Sequence, residues 1–242
     1  MSGAIEKMEE GAMTGRVYAI TGAFGALGSA VAKAAAAQGA RLALIDFATT
    51  APAGLPSGDD VLVLGGVDLT DPAAAKAAVD AVTARFGGLD VLINVAGGFR
   101  WEMFEGGEPE TWSKMFQMNV VTASNISRAA VGALKASKSG RVVNIGANGA
   151  VKAGTGMGAY AASKAGVHKL TEALAEELKA TGVTVNAVLP SILDTAVNRA
   201  DMPDADFAAW VKPEELAAVI LFLASEQASA VTGALVPVTG RV

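Results

Sequence analysis

Cysteine is absent from this 242-residue chain, which excludes disulfides, thiolate metal ligands and a cysteine nucleophile together. Histidine occurs once, at His168, and no metal-ligand set stands out. Clustered basic residues are lacking too, and a net charge of -5 argues against a nucleic-acid footprint, which needs a basic face. No long apolar run is present: Leu216 to Ala224 is about half of the roughly 20 residues that span a bilayer, and reads as a buried helix. The first 15 residues lack the apolar core of a secretory signal and read as a flexible tail before a single domain over 16–242. Nothing directs the chain to a membrane or out of the cell, so a cytoplasmic location is expected. Hydrophobic residues at 52% and charged ones at 18% support a sizeable core, and small molecules are the expected partners.

Within that composition, short β-rich runs alternate with longer Ala/Leu-periodic stretches, as in repeated βα units. Seven strands are predicted, at Val17–Thr21, Arg41–Asp46, Val61–Leu64, Val91–Asn94, Val142–Ile145, Val183–Val188 and Leu235–Val238. Helices are predicted at Ala26–Gln38, Pro72–Phe86, Pro109–Ala136, Gly158–Thr181 and Pro213–Ala224, several opening on the proline that suits a first helical position. Near-continuous Val/Ile/Leu in the strands implies a parallel sheet covered on both faces. The expected fold is therefore α/β, a single-domain doubly wound sheet of seven parallel strands. The Asp194–Trp210 stretch, with Pro and short helix signals after a strand end, reads as a lid.

Between the first strand and helix, Thr21-Gly22-Ala23-Phe24-Gly25-Ala26-Leu27-Gly28 offers small residues where a pyrophosphate must approach backbone N–H groups. Asp46 ends the second strand, where a carboxylate can accept from ribose hydroxyls. It would repel a 2'-phosphate, and neither Phe24 nor Phe47 supplies a cation, so NAD(H) is preferred over NADP(H). Asp68, followed by Leu69, either accepts from the adenine amino group or caps the next helix. Asn94-Val95-Ala96-Gly97 ends the fourth strand with small residues, suited to a cofactor lying on the sheet's carboxyl edge or simply to a tight exit.

Tyr160 and Lys164 stand at i and i+4 on a predicted helix, so one face carries both. A phenol acts near neutrality as acid or base only with a cation to stabilise its phenolate, and Lys164 is the candidate. His168, a further turn along, reads as a helix-face or subunit-contact residue more readily than as a relay.

The order TGxxxxxG, Asp46, NxAG, Asn119 and YxxxK resembles the short-chain dehydrogenase/reductase family over nearly the whole chain. The resemblance implies a Rossmann fold and hydride transfer at nicotinamide C4. Tyr160 would be acid/base and Lys164 its activator, with Asn119 supporting a water relay. It places Leu193 and Thr195, after Pro190, at the nicotinamide carboxamide. It also implies a homodimer or homotetramer through the helices at Pro109–Ala136 and Gly158–Thr181.

One departure stands out. The family's substrate-orienting Ser, thirteen residues before Tyr160, is replaced by Ala147, and losing such a donor costs on the order of 10²–10³ in rate where an oxyanion develops. Asn148 and Thr155 are candidate substitutes. The Gly25–Ser29 loop, Gly156-Met157, Ala165–His168, and Asn198-Arg199 with Met202-Pro203 and Trp210 are similar to the dihydropteridine-reductase branch. That branch lacks the Ser, uses NADH and reduces a quinonoid pterin. Candidate substrate contacts are Ala147, Asn148, Met157, Asn198 and Trp101, whose ring can stack on a planar ligand. The expected reaction is hydride transfer between nicotinamide and a small carbonyl, imine or quinonoid substrate; dihydropteridine reductase-type reduction of a quinonoid dihydropterin and a catalytically impaired NAD-binding regulatory protein are the alternatives.

Overall fold

The computed structural model describes residues 13–242, so most of the expected tail lies outside the described residues. Its last part does not: Met13 is buried in the core and the Gly15 N–H donates to the Gly39 carbonyl at 3.0 Å. Packing thus begins ahead of the first strand.

Seven strands form one sheet: β1 (Val17–Thr21), β2 (Arg41–Ile45), β3 (Val61–Leu64), β4 (Val91–Asn94), β5 (Arg141–Ile145), β6 (Thr184–Pro190) and β7 (Leu235–Val238). They run in the order β3-β2-β1-β4-β5-β6-β7, every pair parallel. The helices are α1 (Ala26–Ala37), α2 (Pro72–Phe86), α3 (Pro109–Phe116), α4 (Thr122–Ala136), α5 (Gly158–Leu178), α6 (Ala196–Asp201) and α7 (Pro213–Ala224). Successive strand residues face opposite sides of a sheet, so each strand feeds two cores. Tyr18, Ile20, Leu44 and Ile93 pack with Val31 of α1 and Ile220 of α7. Val17, Ala19, Ala43 and Leu92 pack with Val82 of α2, Ile126 of α4 and Leu178 of α5. This is the doubly wound, single-domain Rossmann fold expected.

Boundaries moved where polar groups intervene. β2 ends at Ile45, leaving Asp46 just beyond the strand, and β6 runs on through Pro190. The long helix expected over Pro109–Ala136 is interrupted by one π-helical turn, Gln117–Val121, which includes Asn119. Such turns recur at functional sites because they redirect one side chain without ending the helix. The strand order reverses between β1 and β4, and the crevice outside their carboxyl ends is where ligands bind in open α/β sheets.

Candidate active site

At that crevice lies an open cleft of about 590 Å³, lined by Gly22, Gly25, Ala26, Leu27, Gly28, Asp46, Asp68, Leu69, Ala96 and Gly97 among others. Gly22 adopts φ +62° with the Ala96 N only 2.8 Å from where a Cβ would stand, so glycine lets the first loop lie on the β4 exit. Thr21 Oγ1 accepts the Ala96 N–H at 3.1 Å and locks the two loops together. Gly25 precedes α1 with no side-chain cap and no acidic residue in the first turn, leaving the helix's free N–H groups to a ligand anion. Asp46 is fixed from both sides: its carboxylate accepts from the Phe24 and Ala48 N–H groups, each at 2.9 Å. Each oxygen retains a lone pair for a further donor.

Other predicted positions serve the cleft differently. Asp68 lines it, but Oδ1 accepts from the Thr70 N–H and hydroxyl, which hold the carboxyl below its usual range; Asp71, not Asp68, caps α2. Asn94 is corrected: its buried amide donates to Ser127 Oγ at 3.0 Å and to Asn144 Oδ1 at 2.8 Å, bracing the sheet away from the cleft. Thr195 caps α6 by accepting the Asn198 N–H, and Asn198 Nδ2 donates to the Leu193 carbonyl, so both side chains brace the segment after Pro190 while Thr195 keeps its own hydroxyl donor. That segment is braced by a two-pronged Arg199–Asp194 pair and by Arg199 lying over Phe207. The residues missed are Lys114, which lines the cleft from α3, and Asn125, whose amide holds the Leu69 and Thr70 carbonyls. Lys114 and Asn125 carry no local motif.

Four elements converge on Lys164. A Cβ on Gly97 would sit 2.5 Å from Asn119 Oδ1 and 3.5 Å from Lys164 Nζ, so only glycine lets the β4 exit touch both. Asn119 is held at both ends of its amide: Oδ1 accepts from the Gly98 N–H, while Nδ2 donates to the Gly98 carbonyl and to Ser163 Oγ, each at 3.0 Å. Ser163, another residue missed, donates a hydrogen bond from its hydroxyl to the Tyr160 carbonyl. Lys164 Nζ donates to the Ile145 carbonyl at 2.8 Å, and burial lowers its pKa to about 8. Burial pushes the Tyr160 phenol up to about 12. Burial is the cause of that rise, and the lowering expected from Lys164 does not accompany it. Tyr160 therefore holds its proton at neutral pH.

A second cavity, of about 530 Å³, opens between the 102–109 loop, Trp112 of α3 and Gly154, Gly156, Gly158 and Ala159. Tyr160 follows the cavity-lining Ala159 on α5, and Lys164 Nζ lies 3.5 Å from where a Cβ on the cleft-lining Gly97 would stand. Phe99 packs edge-on against Tyr160, centroids 4.8 Å apart. Trp101 and Met157 adjoin cavity-lining residues without lining it, and Trp101 Nε1 donates to the Thr155 carbonyl. Ala147 is buried, and Asn148, half-buried, opens a short 3-10 turn. His168 is corrected: it is buried, with Nε2 accepting the Ala147 N–H at 3.3 Å, and so is neither on an exposed helix face nor available to a subunit contact. The small residues Gly158 and Gly166 likewise seat Trp112 and Val120 within this chain.

Residues 16–206 match the family model described as short chain dehydrogenase. The chain belongs to the short-chain dehydrogenase family. It is thus an oxidoreductase, acting on small molecules with a nicotinamide cofactor, and the cleft fits that group. It is 30% identical over 240 residues to a 3-oxoacyl-[acyl-carrier-protein] reductase of Vibrio cholerae, covering 94% of this chain and 97% of the relative. It is 32% identical to a D-threitol dehydrogenase of Mycolicibacterium smegmatis, covering 94% and 93%. A solved short-chain dehydrogenase/reductase from Brucella melitensis, titled a glucose/ribitol dehydrogenase, superposes with a TM-score of 0.86 at 28% identity, covering 94% and 96%. No helix among the described residues is long and apolar enough to cross a membrane.

Proposed function

We propose that this short-chain dehydrogenase is an NAD(H)-dependent reductase of a small, planar carbonyl, imine or quinonoid substrate, with Tyr160 as proton donor. The observation that carries this is that Lys164 lies close to Gly97 of the first cleft while Tyr160, on the same helix, follows Ala159 of the second cavity. Gly22, Phe24, Ala26, Leu27 and Gly28 would hold the diphosphate side, Asp46 the adenosine ribose, and Ala96 and Gly97 the nicotinamide side. Pro190, Leu193 and Thr195 border the nicotinamide end. The bound nicotinamide supplies the hydride.

The residues do the rest. Tyr160, its phenol protonated at neutral pH, would donate the proton that reduction consumes. Lys164 places a cation beside the phenol that is left, and Asn119 and Ser163 keep the Tyr160 turn in register. Asp46 favours NAD(H), since its carboxylate opposes a 2'-phosphate at fixed position. Phe99 and Trp101, both more than half exposed, offer rings to a planar substrate. The exposed Trp112 and Phe116 of α3 support self-association as a homodimer or homotetramer, and a cytoplasmic location remains the reading.

Ala147 favours a second reading, a nicotinamide-binding protein without turnover. A panel of quinonoid dihydropterin, an aryl ketone, 9,10-phenanthrenequinone and a cyclic imine, each with NADH and NADPH, separates the two. Turnover of a delocalised substrate with NADH, lost by 10²-fold or more in Tyr160→Phe while NADH still binds, is the expected result. Cofactor binding without any turnover favours the second reading, and full activity of Tyr160→Phe overturns the assigned acid.

A further inference from the structure

The exit of β5 is held by two successive turns of α5. Lys164 Nζ donates to the Ile145 carbonyl at 2.8 Å. His168, four residues on, accepts the Ala147 N–H at Nε2 from 3.3 Å. Between the two held groups lies Gly146, where a Cβ would stand 2.6 Å from His168 Nε2 and 3.1 Å from Leu189 Cδ1. Imidazole and strand are therefore in direct contact, with no room for a side chain. The bond also fixes the tautomer. An Nε2 that accepts from an amide has no proton, so a neutral ring carries its hydrogen on Nδ1.

We propose that His168, as the Nδ1–H tautomer, is a positioning residue of the active site: with Lys164 it clamps Ile145-Gly146-Ala147 beside Tyr160. The clamped segment is the one that carries Ala147 where a hydroxyl is missing. Ala147 has no hydroxyl to engage a substrate, and the segment is held by the Gly146 N–H to the Val188 carbonyl at 2.9 Å, by Lys164, and by His168, which accepts the Ala147 N–H.

The clamp is sensitive to protonation. A charged imidazole donates at both nitrogens, so it faces the Ala147 N–H donor to donor and stands one turn from the Lys164 ammonium. The ionisable groups whose charge reaches His168 are Lys164, Lys169 and Glu172, all on its own helix; β5 and β6 face it with backbone and aliphatic groups at Gly146, Ala147 and Leu189. Burial first, then Lys164, hold the imidazole below its ordinary range, Glu172 acting the other way. The neutral acceptor is thus the form present near neutrality.

Because the chain has one histidine, its imidazole nitrogens are unambiguous in a long-range ¹H–¹⁵N spectrum of the whole protein. At pH 7.5, Nε2 should be the unprotonated nitrogen, and the Ala147 amide signal should move with the histidine on acidification. A protonated Nε2, or an Ala147 amide indifferent to that titration, overturns the proposal without any assay of turnover. The positioning role rests on the reductase reading, and 9,10-phenanthrenequinone with NADH tests it. His168→Leu should lose about tenfold or more in kcat while NADH binding holds. His168→Gln, whose amide oxygen reaches toward the Nε2 position, should recover most of that loss and abolish the acid limb of the pH profile. Unchanged kcat and acid limb in both variants overturn the role, whereas a wild type that never turns over sinks the reductase reading and leaves the spectroscopic result standing.

Discussion

Lys164 is the most informative perturbation, because its position states a stability cost as well as a role. Burial lowers its pKa from 10.5 to about 8, so between those values the unfolded chain binds a proton that the folded chain has released. Stability must then rise with pH across that window. That lowering corresponds to about 3 kcal/mol gained by pH 10.5 relative to pH 7. Lys164→Met removes the titration. It also leaves the Ile145 carbonyl without its donor, which shifts the variant by an amount independent of pH. Tyr18 and Tyr160, both raised to about 12, pull the other way above pH 10, but they do so in both proteins. The difference in unfolding free energy between wild type and variant, from urea titrations at pH 7, 8, 9, 10 and 10.5, isolates the lysine. It should grow in favour of wild type by about 3 kcal/mol. A difference flat to within roughly 0.5 kcal/mol would refute the buried-cation argument, and with it the picture of Lys164 as a charge held ready beside Tyr160.

Gly97→Ala should cost about 1–3 kcal/mol of stability and lower turnover more than cofactor binding, because the new methyl meets Asn119 Oδ1 at 2.5 Å; urea unfolding and steady-state kinetics check it, and wild-type values for both would show that the turn yields freely. Asp46→Ala should weaken NADH by roughly 10-fold or more and narrow or reverse the preference over NADPH, since the Phe24 and Ala48 N–H groups lose their acceptor along with the ribose; unchanged affinities for both, by fluorescence titration, count against the ribose role. Ala147→Ser should raise aryl-ketone reduction by about 10-fold or more while leaving reduction of a delocalised substrate unchanged; equal effects on both would sever the link between that position and substrate type.

Much of this molecule was legible because its signals are local. Apolar runs of four to seven residues, proline at helix starts and the small residues of the first loop fix strands, helices and turns through backbone sterics and period, and the strands predicted at 17–21, 61–64, 91–94 and 235–238 fall on the observed bounds. The i, i+4 spacing of Tyr160 and Lys164 placed both on one helix face for the same reason. Where a polar group finds its partner far along the chain, the sequence was silent or misleading. Nothing local turns Asn94 toward Ser127 and Asn144, inserts a π turn under Asn119, or commits Thr195 and Asn198 to their own segment.

His168 shows the division most sharply. Its spacing from Lys164 put it one turn further along α5, but only the packing of α5 beneath β5 decided that it is buried and bonded to Ala147. The same packing set the two ionisations that matter. Tyr160 and Lys164 are chosen by sequence, while the desolvation that moves one to about 12 and the other to about 8 belongs to the assembled core, because the energy of a charge depends on everything around it and not on its neighbours in the chain.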